Sequence, residues 1–401
     1  MERVGPSPQA DVSSHRATAL LHVGFVLTGM VTTLLGPILP ALSARWSLPD
    51  SQAGYLFTSQ FVGSMTGVAL LSAFLPRWGF RSSLILGFGM MAGGVGALGL
   101  GSWPIGLISV FCYGIGLGVT IPATNLLVSE ASPHRRAAAL NILNLAWGMG
   151  AVAFPPVTAL FQRTSGVHVL LFALGAALGL MAICLAPVSF FNVGNRPSQA
   201  SPPFQPQVSV WRSRFLPILG LLFFLYVGTE SALGGWVAFY AKSLSPTPGT
   251  VWLITPSFFW GALLLGRALA PAVLRHVAEA KLVVMGLVMA ALGVTLLLAA
   301  GSLAGVLSGV SIAGLGLASV FPITVALLSH SFGELASRVA GAMFALGAMG
   351  GATLPWLVGF LSTHFGSLNA GLVVPLLGSL VMVALHLSHS RSRTGGALQF
   401  G

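Results

Sequence analysis

Twelve long apolar segments constrain this chain more than any other feature. Each is about 20 residues or longer, the length that an α-helix needs to cross the hydrocarbon core of a bilayer. Backbone polar groups in lipid must be hydrogen-bonded within the segment, so helices are the expected form. We therefore predict an all-α membrane protein whose spans are 17–42, 51–75, 82–101, 104–129, 138–161, 167–190, 215–241, 250–274, 282–301, 303–330, 339–362 and 368–388.

The low content of charged residues indicates that most of the protein's outer surface faces lipid rather than water. Only 6% of the 401 residues are charged, whereas a soluble domain has about 25%. The net charge is +11, but the basic residues occur singly or in pairs between apolar segments. No basic run has the form of a nucleic-acid patch, so lipid rather than nucleic acid is the expected partner.

The distribution of Lys and Arg predicts the orientation. With both termini in the cytosol, 14 of the 18 Lys and Arg residues lie on the cytosolic side, three lie in outer loops, and Arg267 lies within a span. Cytosolic loops are enriched in basic residues, so this orientation is favoured. The predicted organisation is a cytosolic tail, a six-helix bundle, a Pro- and Ser-rich linker, a second six-helix bundle and a second tail, at residues 1–16, 17–191, 192–213, 214–388 and 389–401.

The two halves resemble each other with a constant offset of 200 residues. Span four reads GIGLGVTIPATNLLVSE from Gly114, and span ten reads GLGLASVFPITVALLSH from Gly314. The same offset relates Pro155 in span five to Pro355 in span eleven. Six spans per repeat is an even number, so the halves have the same topology and are expected to be related by a pseudo-two-fold axis along the membrane normal.

Two charged residues within the spans are the sharpest functional candidates. Glu230 in span seven is an acidic residue well inside an apolar segment, where an ionised carboxylate costs several kcal/mol. It is interpreted as a coupling carboxylate or a hydrogen-bond acceptor for a solute; the alternative is a carboxyl that only packs helices. Arg267 lies about two turns from the cytosolic end of span eight, and is interpreted as a gate or packing residue. Direct pairing with Glu230 is expected to be too long at that difference in depth.

Further polar and aromatic side chains lie in the spans. Amides can donate and accept hydrogen bonds, and flat rings can contact apolar C–H faces, so together they suit a sugar. Asn144 and Trp147 are three residues apart and share a helix face. Each candidate has a structural alternative, a buried amide between helices or a tryptophan at the membrane interface. The candidates for substrate binding are Gln60, Asn125, Asn144, Trp147, Glu230, Trp236 and Trp260.

The sequence contains no pattern of an enzyme or an ATP-driven pump. It has no phosphate-binding loop, catalytic serine motif or His/Cys cluster at metal-ligand spacing, so neither a cofactor nor a metal is expected. Cys112 and Cys184 both lie inside apolar segments, and a structural disulfide is not expected.

Five segments together carry a family resemblance. LPRWGFRSSL between spans two and three resembles the loop signature of the major facilitator fold, in which arginines and a glycine form a tight cytosolic turn. The other segments resemble the fucose–proton symporter family, with its bacterial glucose/mannose permeases and animal sodium-dependent glucose transporters. They are WGMGAVAFP (147–155), FLYVGTESALGGW (224–236), SFFWGALLLGRAL (257–269) and GLASVFPITVALLS (316–329).

The resemblance implies transport of a hexose such as glucose, mannose or fucose by alternating access, coupled to H⁺ or Na⁺, by a monomer in a bacterial inner membrane. Spans one, four, seven and ten would line a central cavity. Glu230 matches the family's span-seven glutamate and Gln60 its span-two glutamine, while Asn125 and Asn144 fall on polar positions of spans four and five. Arg77, Arg81 and Arg267 would act in gating.

The sequence also departs from the family pattern. Pro76 replaces the aspartate of the loop signature, Ile121 and Pro122 lie where the family has a span-four glutamate, and span one contains no acid. A uniporter therefore remains an alternative, as does an exporter of drugs or other small metabolites with the same fold. A sensor or scaffold without transport is a further rival.

Overall fold

The computed structural model is helical throughout its described part, which comprises residues 8–132, 134–188, 190, 213, 215–244 and 249–396. Most of the predicted linker 192–213 and residues 1–7 and 397–401 lie outside the described residues. The α-helices are α1 Pro8–Thr32, α2 Leu35–Trp46, α3 Asp50–Leu98, α4 Trp103–Ala131, α5 Arg136–Thr164, α6 Val167–Leu185, α7 Phe215–Ser243, α8 Thr255–Val273, α9 Glu279–Leu298, α10 Leu303–Leu317, α11 Val320–Phe332, α12 Ala336–Phe365 and α13 Leu368–Gly396.

Within the described residues, these helices correspond to the twelve predicted spans. Helix α3 has 49 residues, or about 73 Å at 1.5 Å per residue, which is two bilayer crossings rather than one. Its helical geometry breaks at Gly79, where φ is 70°, a value that glycine adopts without steric cost. The predicted turn between spans two and three is therefore confirmed at this glycine.

Two spans are interrupted rather than continuous. Span one consists of α1 and α2, which meet at an angle of 43°. Span ten consists of α10 and α11, with Ala318 and Ser319 between them and Pro322 in the first turn of α11. Span four is continuous through Pro122, so the repeated proline is accompanied by a break in only one of the two matched spans.

One compact unit comprises residues 1–32, 63–154 and 164–201. In this unit α1 packs against α4 and α6, and the Nε1 of Trp147 in α5 donates a hydrogen bond to the Oγ1 of Thr32 at 3.3 Å. Phe25, Tyr113 and Phe154 are among its fully buried side chains. These three rings fill the space between helices that carry few charged residues, so apolar packing holds this unit together.

The second compact unit comprises residues 33–62, 155–163 and 202–401. Helix α7 is its centre and packs against α12, α13, α8 and α2. One core cluster joins Leu216, Phe223, Leu328 and Met343. Since residues 33–62 come from the first two spans, this unit joins parts of both sequence repeats.

The N-terminus of α3 lies against α12 within the second unit. Gly359 is in contact with Asp50 there, and a Cβ atom at Gly359 would overlap the carbonyl oxygen of Asp50 and lie 2.9 Å from the Trp236 ring. The backbone N–H of Ser51 donates to the Oγ1 of Thr363 at 2.8 Å. Only a glycine permits this approach, which makes position 359 a sensitive test of it.

Substitution Gly359→Ala is expected to lower the free energy of unfolding by about 1–3 kcal/mol, the usual cost of overpacking. Gly341→Ala is the matched control, because it lies in the same helix and a Cβ there meets nothing within 4 Å. That control is expected to be neutral or stabilising by up to about 1 kcal/mol. Thermal unfolding in detergent measures both variants, and equal melting temperatures for the two would contradict the close approach.

Candidate functional site

Three polar side chains meet inside the spans of the second unit. The Nη2 of Arg267 in α8 lies 3.3 Å from the Oε1 of Glu230 in α7. The same Nη2 donates a hydrogen bond to the Oη of Tyr226 at 3.2 Å. Tyr226 and Glu230 are four residues apart, so both project from one face of α7 toward α8.

The expectation that Glu230 and Arg267 lie too far apart to pair is wrong. The depths of the two helix positions do not by themselves set the distance between the side chains. Side chains in a helix lean toward its N-terminus. Helix α7 and helix α8 are consecutive spans that run in opposite directions, so the two side chains lean toward each other, and the length of arginine closes the remaining gap.

The pair makes both charges tolerable in a low-dielectric setting. An isolated charge inside a span is costly, whereas a pair with good geometry recovers much of that cost. The exposed fractions are 14% for the Glu230 side chain and 28% for that of Arg267, so neither is sealed off. The buried Nε of Arg267 has no acceptor among the described residues, so the guanidinium retains a donor that water or a solute hydroxyl would satisfy.

Two of the three tryptophans predicted for substrate binding are buried in the second unit. Trp236 is fully buried, its Nε1 donates to the carbonyl oxygen of Pro355 at 2.9 Å, and its ring contacts Phe57 at a centroid distance of 6.1 Å. Trp260 is 8% exposed and lies against Gly234 of α7. In this arrangement both rings pack helices and have almost no surface open to a solute.

The predicted amides take different environments. Gln60 in α3 is buried in the second unit. In the first unit, Asn125 and Asn144 each donate from Nδ2 to a carbonyl oxygen one turn earlier in their own helix, at 2.8 and 2.9 Å respectively. Asn144 is exposed, and Trp147 is half-buried beside α1. The Nδ2 group of each asparagine thus donates within its own helix.

The predicted gating arginines of the first unit lie at the break in α3. Arg77 and Arg81 are both exposed, two residues on either side of Gly79. The ring of Trp78 stacks on Phe74 with centroids 4.5 Å apart. This segment presents basic and aromatic groups together, as is typical of a membrane interface.

A second polar cluster lies where α3 begins and α12 ends. The Oγ of Ser362 donates a hydrogen bond to the Oδ2 of Asp50 at 2.5 Å. Neither Asp50 nor Ser362 is among the candidates predicted from sequence. They are 312 positions apart, so no local pattern connects them, although an acid at the start of a helix is a recognisable capping position.

The sequence matches the family described as Major Facilitator Superfamily over residues 21–355. The chain belongs to the Major Facilitator Superfamily. This match, together with the helical bundle, confirms the predicted fold class, and the relatives of this superfamily protein are transporters rather than enzymes.

Two curated relatives illustrate the similarity of this superfamily member to known proteins. It is 22% identical to the glucose/mannose transporter GlcP of Bacillus subtilis, over 94% of this chain and 96% of that protein. It is 26% identical to the MFS-type transporter SLC18B1 of Mus musculus over 54% of this chain, but the match spans only 47% of that relative. The resemblance to glucose/mannose permeases inferred from sequence is thereby confirmed.

Solved structures support the major facilitator fold. The nucleoside transporter NupG superposes with a TM-score of 0.78 at 12% identity, covering 93% of this chain and 98% of that one. The fucose:proton symporter FucP of E. coli superposes with a TM-score of 0.60 at 18% identity, covering 92% and 97%. At these identities the likeness establishes the fold alone.

Proposed function

We propose that this protein is a secondary transporter that moves a monosaccharide across the membrane by alternating access, with Glu230 as the coupling carboxylate for H⁺ or Na⁺. The observation that carries the proposal is the cluster of Glu230, Arg267 and Tyr226 within spans seven and eight. Ionisable residues inside spans usually serve ion or solute pathways. The near full-length similarity to a glucose/mannose transporter favours a hexose as the solute.

The cluster suits a proton or cation switch because its partners can exchange. When a cation neutralises Glu230, the attraction between that carboxyl and Arg267 weakens, and the Oη of Tyr226 remains as an acceptor for the guanidinium. The unsatisfied Nε of Arg267 is then a donor for a solute hydroxyl. Binding of the cation and of the solute would thus change the same set of hydrogen bonds, which is what coupling requires.

The substrate-binding set is proposed to be Gln60, Asn125, Asn144, Trp147, Glu230, Trp236 and Trp260, with Arg77, Arg81 and Arg267 in gating. Trp236 and Trp260 are buried in this arrangement. They contact substrate only if α7 and α8 change their packing during the cycle. For Trp236 that change includes loss of the hydrogen bond to Pro355.

The proposed setting is a bacterial inner membrane, with both termini in the cytoplasm and a monomer as the working unit. Bacterial relatives named as sugar transporters favour this membrane. The excess of basic residues in the predicted cytosolic loops favours the orientation.

A sugar panel tests the proposed substrate class. Purified protein in detergent is heated with D-glucose, D-mannose, D-galactose or L-fucose, and sorbitol at equal concentration controls for a general polyol effect. A ligand at 100 times its Kd stabilises by about 2.7 kcal/mol, so one or more hexoses are expected to raise the melting temperature by several degrees above sorbitol. A flat response to all four sugars by folded protein would contradict a hexose transporter.

A uniporter is the second candidate, and a specific observation favours it. Span one contains no acid, and Ile121 and Pro122 occupy the region of the family's span-four glutamate. A uniporter would bind the same sugars but would not accumulate them. An exporter of drugs or small metabolites would instead show resistance phenotypes and no stabilisation by hexoses.

A further inference from the structure

A pocket of about 470 Å³ lies at one end of the second unit, apart from the Glu230 cluster. It is formed where α7 and α12 end and where α3 and α13 begin. In the predicted orientation these are all outer ends of spans. The volume lies within the range of small-molecule sites, roughly 300–1,000 Å³.

The chemistry of the lining matches a neutral polyhydroxylated ring. One carboxylate, five hydroxyl groups and one amide line the pocket, together with the rings of Phe239 and Tyr240, which can contact C–H surfaces. Among the described residues, the lining includes no lysine, arginine or histidine, which disfavours an anionic solute. The side chains that the argument uses are Asp50, Tyr240, Ser362, Thr363, Ser367 and Asn369.

The carboxylate of this pocket is already engaged by a hydroxyl. The Oγ of Ser362 donates to the Oδ2 of Asp50, and the Oγ1 of Thr363 accepts from the N–H of Ser51. These two hydrogen bonds join the start of α3 to the end of α12. We define the pair Asp50–Ser362 as the outer latch, since it connects a span of the first sequence repeat to a span of the second.

Resting on the proposed function, we propose that this pocket is an outer binding site for the sugar, in which a ring hydroxyl replaces the Ser362 hydroxyl as the hydrogen-bond donor to Asp50. The exchange conserves the number of hydrogen bonds to the carboxylate, so opening the latch is far less costly with sugar present than without it. The sugar therefore binds more tightly to the opened latch than to the closed one, and its arrival favours opening.

Labelling of a single cysteine tests this site. The two native cysteines, Cys112 and Cys184, are free thiols and are replaced by serine. Ser367→Cys is then introduced at the pocket, and Gly301→Cys, which has nothing within 4 Å of its Cβ position, is introduced in another predicted outer loop. Intact cells are treated with a membrane-impermeant maleimide with and without D-glucose, D-mannose or D-galactose. A transported hexose is expected to slow labelling at position 367 by at least about threefold and to leave position 301 unchanged.

Two latch variants have opposite expected effects in the Ser367→Cys background. Asp50→Asn removes the charged acceptor and is expected to raise the half-protecting sugar concentration about tenfold. Ser362→Ala removes the competing donor and is expected to lower it about threefold. Sugar bound only at the Glu230 cluster could also slow labelling at position 367, through a change in conformation. In that case the half-protecting sugar concentration would not depend on Asp50.

The failure of this proposal is distinct from the failure of the proposed function. If a hexose is taken up by proteoliposomes but never protects position 367, the outer site is overturned and the transport function stands. A shift of both latch variants in the same direction also overturns it. If the Asp50→Asn variant does not reach the membrane, the Ser362→Ala variant alone tests the proposal. An unchanged half-protecting sugar concentration in that variant would contradict the outer site. Without uptake or protection by any hexose, both proposals fail.

Discussion

Replacing Arg267 with methionine is expected to abolish uphill transport and to lower the free energy of unfolding by about 3 kcal/mol. That value is the lower end of the range for breaking a buried ion pair, because the arginine side chain is 28% exposed. Methionine keeps most of the side-chain length but leaves Glu230 without its cationic partner. The carboxyl must then remain as an unpaired charge or take up a proton permanently, and in neither state can it exchange partners during the cycle.

A double-substitution cycle separates the pair from general damage. Glu230→Gln with Arg267→Met removes both charges and is expected to recover most of the lost stability, because uncompensated charge rather than volume is the cause. Arg275→Met is the matched control, an exposed arginine just beyond α8, and it is expected to stay within about 0.5 kcal/mol of the parent. Additive losses in the double variant would show that the two side chains do not interact.

Replacing Glu230 with glutamine is expected to remove concentrative uptake while sparing exchange of labelled for unlabelled sugar. Glutamine has the same shape and can still accept a hydrogen bond from Arg267, so the expected loss of stability is about 1–2 kcal/mol. One positive charge moving with the sugar supplies about 2.3 kcal/mol per 100 mV, which corresponds to about fiftyfold accumulation. That accumulation is the quantity expected to disappear.

Uptake and exchange are measured in proteoliposomes with an imposed proton or sodium gradient. Glu279→Gln makes the same chemical change at an exposed position in the first turn of α9 and is expected to leave accumulation intact. Concentrative uptake by Glu230→Gln at the parental level would remove the coupling role from this residue. Loss of exchange as well as accumulation would instead indicate that Glu230 is needed for binding or for movement itself.

The spans were predictable because lipid imposes a simple requirement on the sequence. A segment must be apolar for about 20 residues and must satisfy its own backbone, so the apolar segments give nearly the observed helices. The deviations have physical causes. The chain turns at Gly79, where the helical geometry of α3 breaks, and the interruption between α10 and α11 lies beside Pro322, which cannot donate to the helix ladder.

The candidate site was only partly predictable. Glu230 was identifiable because a charge inside a span is costly. Its pairing with Arg267 was not, because the positions of the two residues along their helices do not show how far the arginine side chain extends. Tyr226 lies four residues before Glu230, a spacing that places both side chains on one helix face. The contact of Asp50 with Ser362 depends on the packing of α3 against α12, and no nearby sequence pattern encodes it. Trp236 has the ring that a sugar site needs, yet it is buried by its contacts with Phe57 and Pro355.

The interruptions in spans one and ten have a consequence for where these spans can meet lipid. Where a helix breaks, some carbonyl oxygens lose their regular amide partner, and hydrocarbon tails cannot replace it. The carbonyl oxygens of Thr33 and Ser319 instead accept from the N–H groups of Gly36 and Ile323, each at 3.2 Å. Thr33 and Ser319 are both buried, so neighbouring helices shield these two weak points from the hydrocarbon tails.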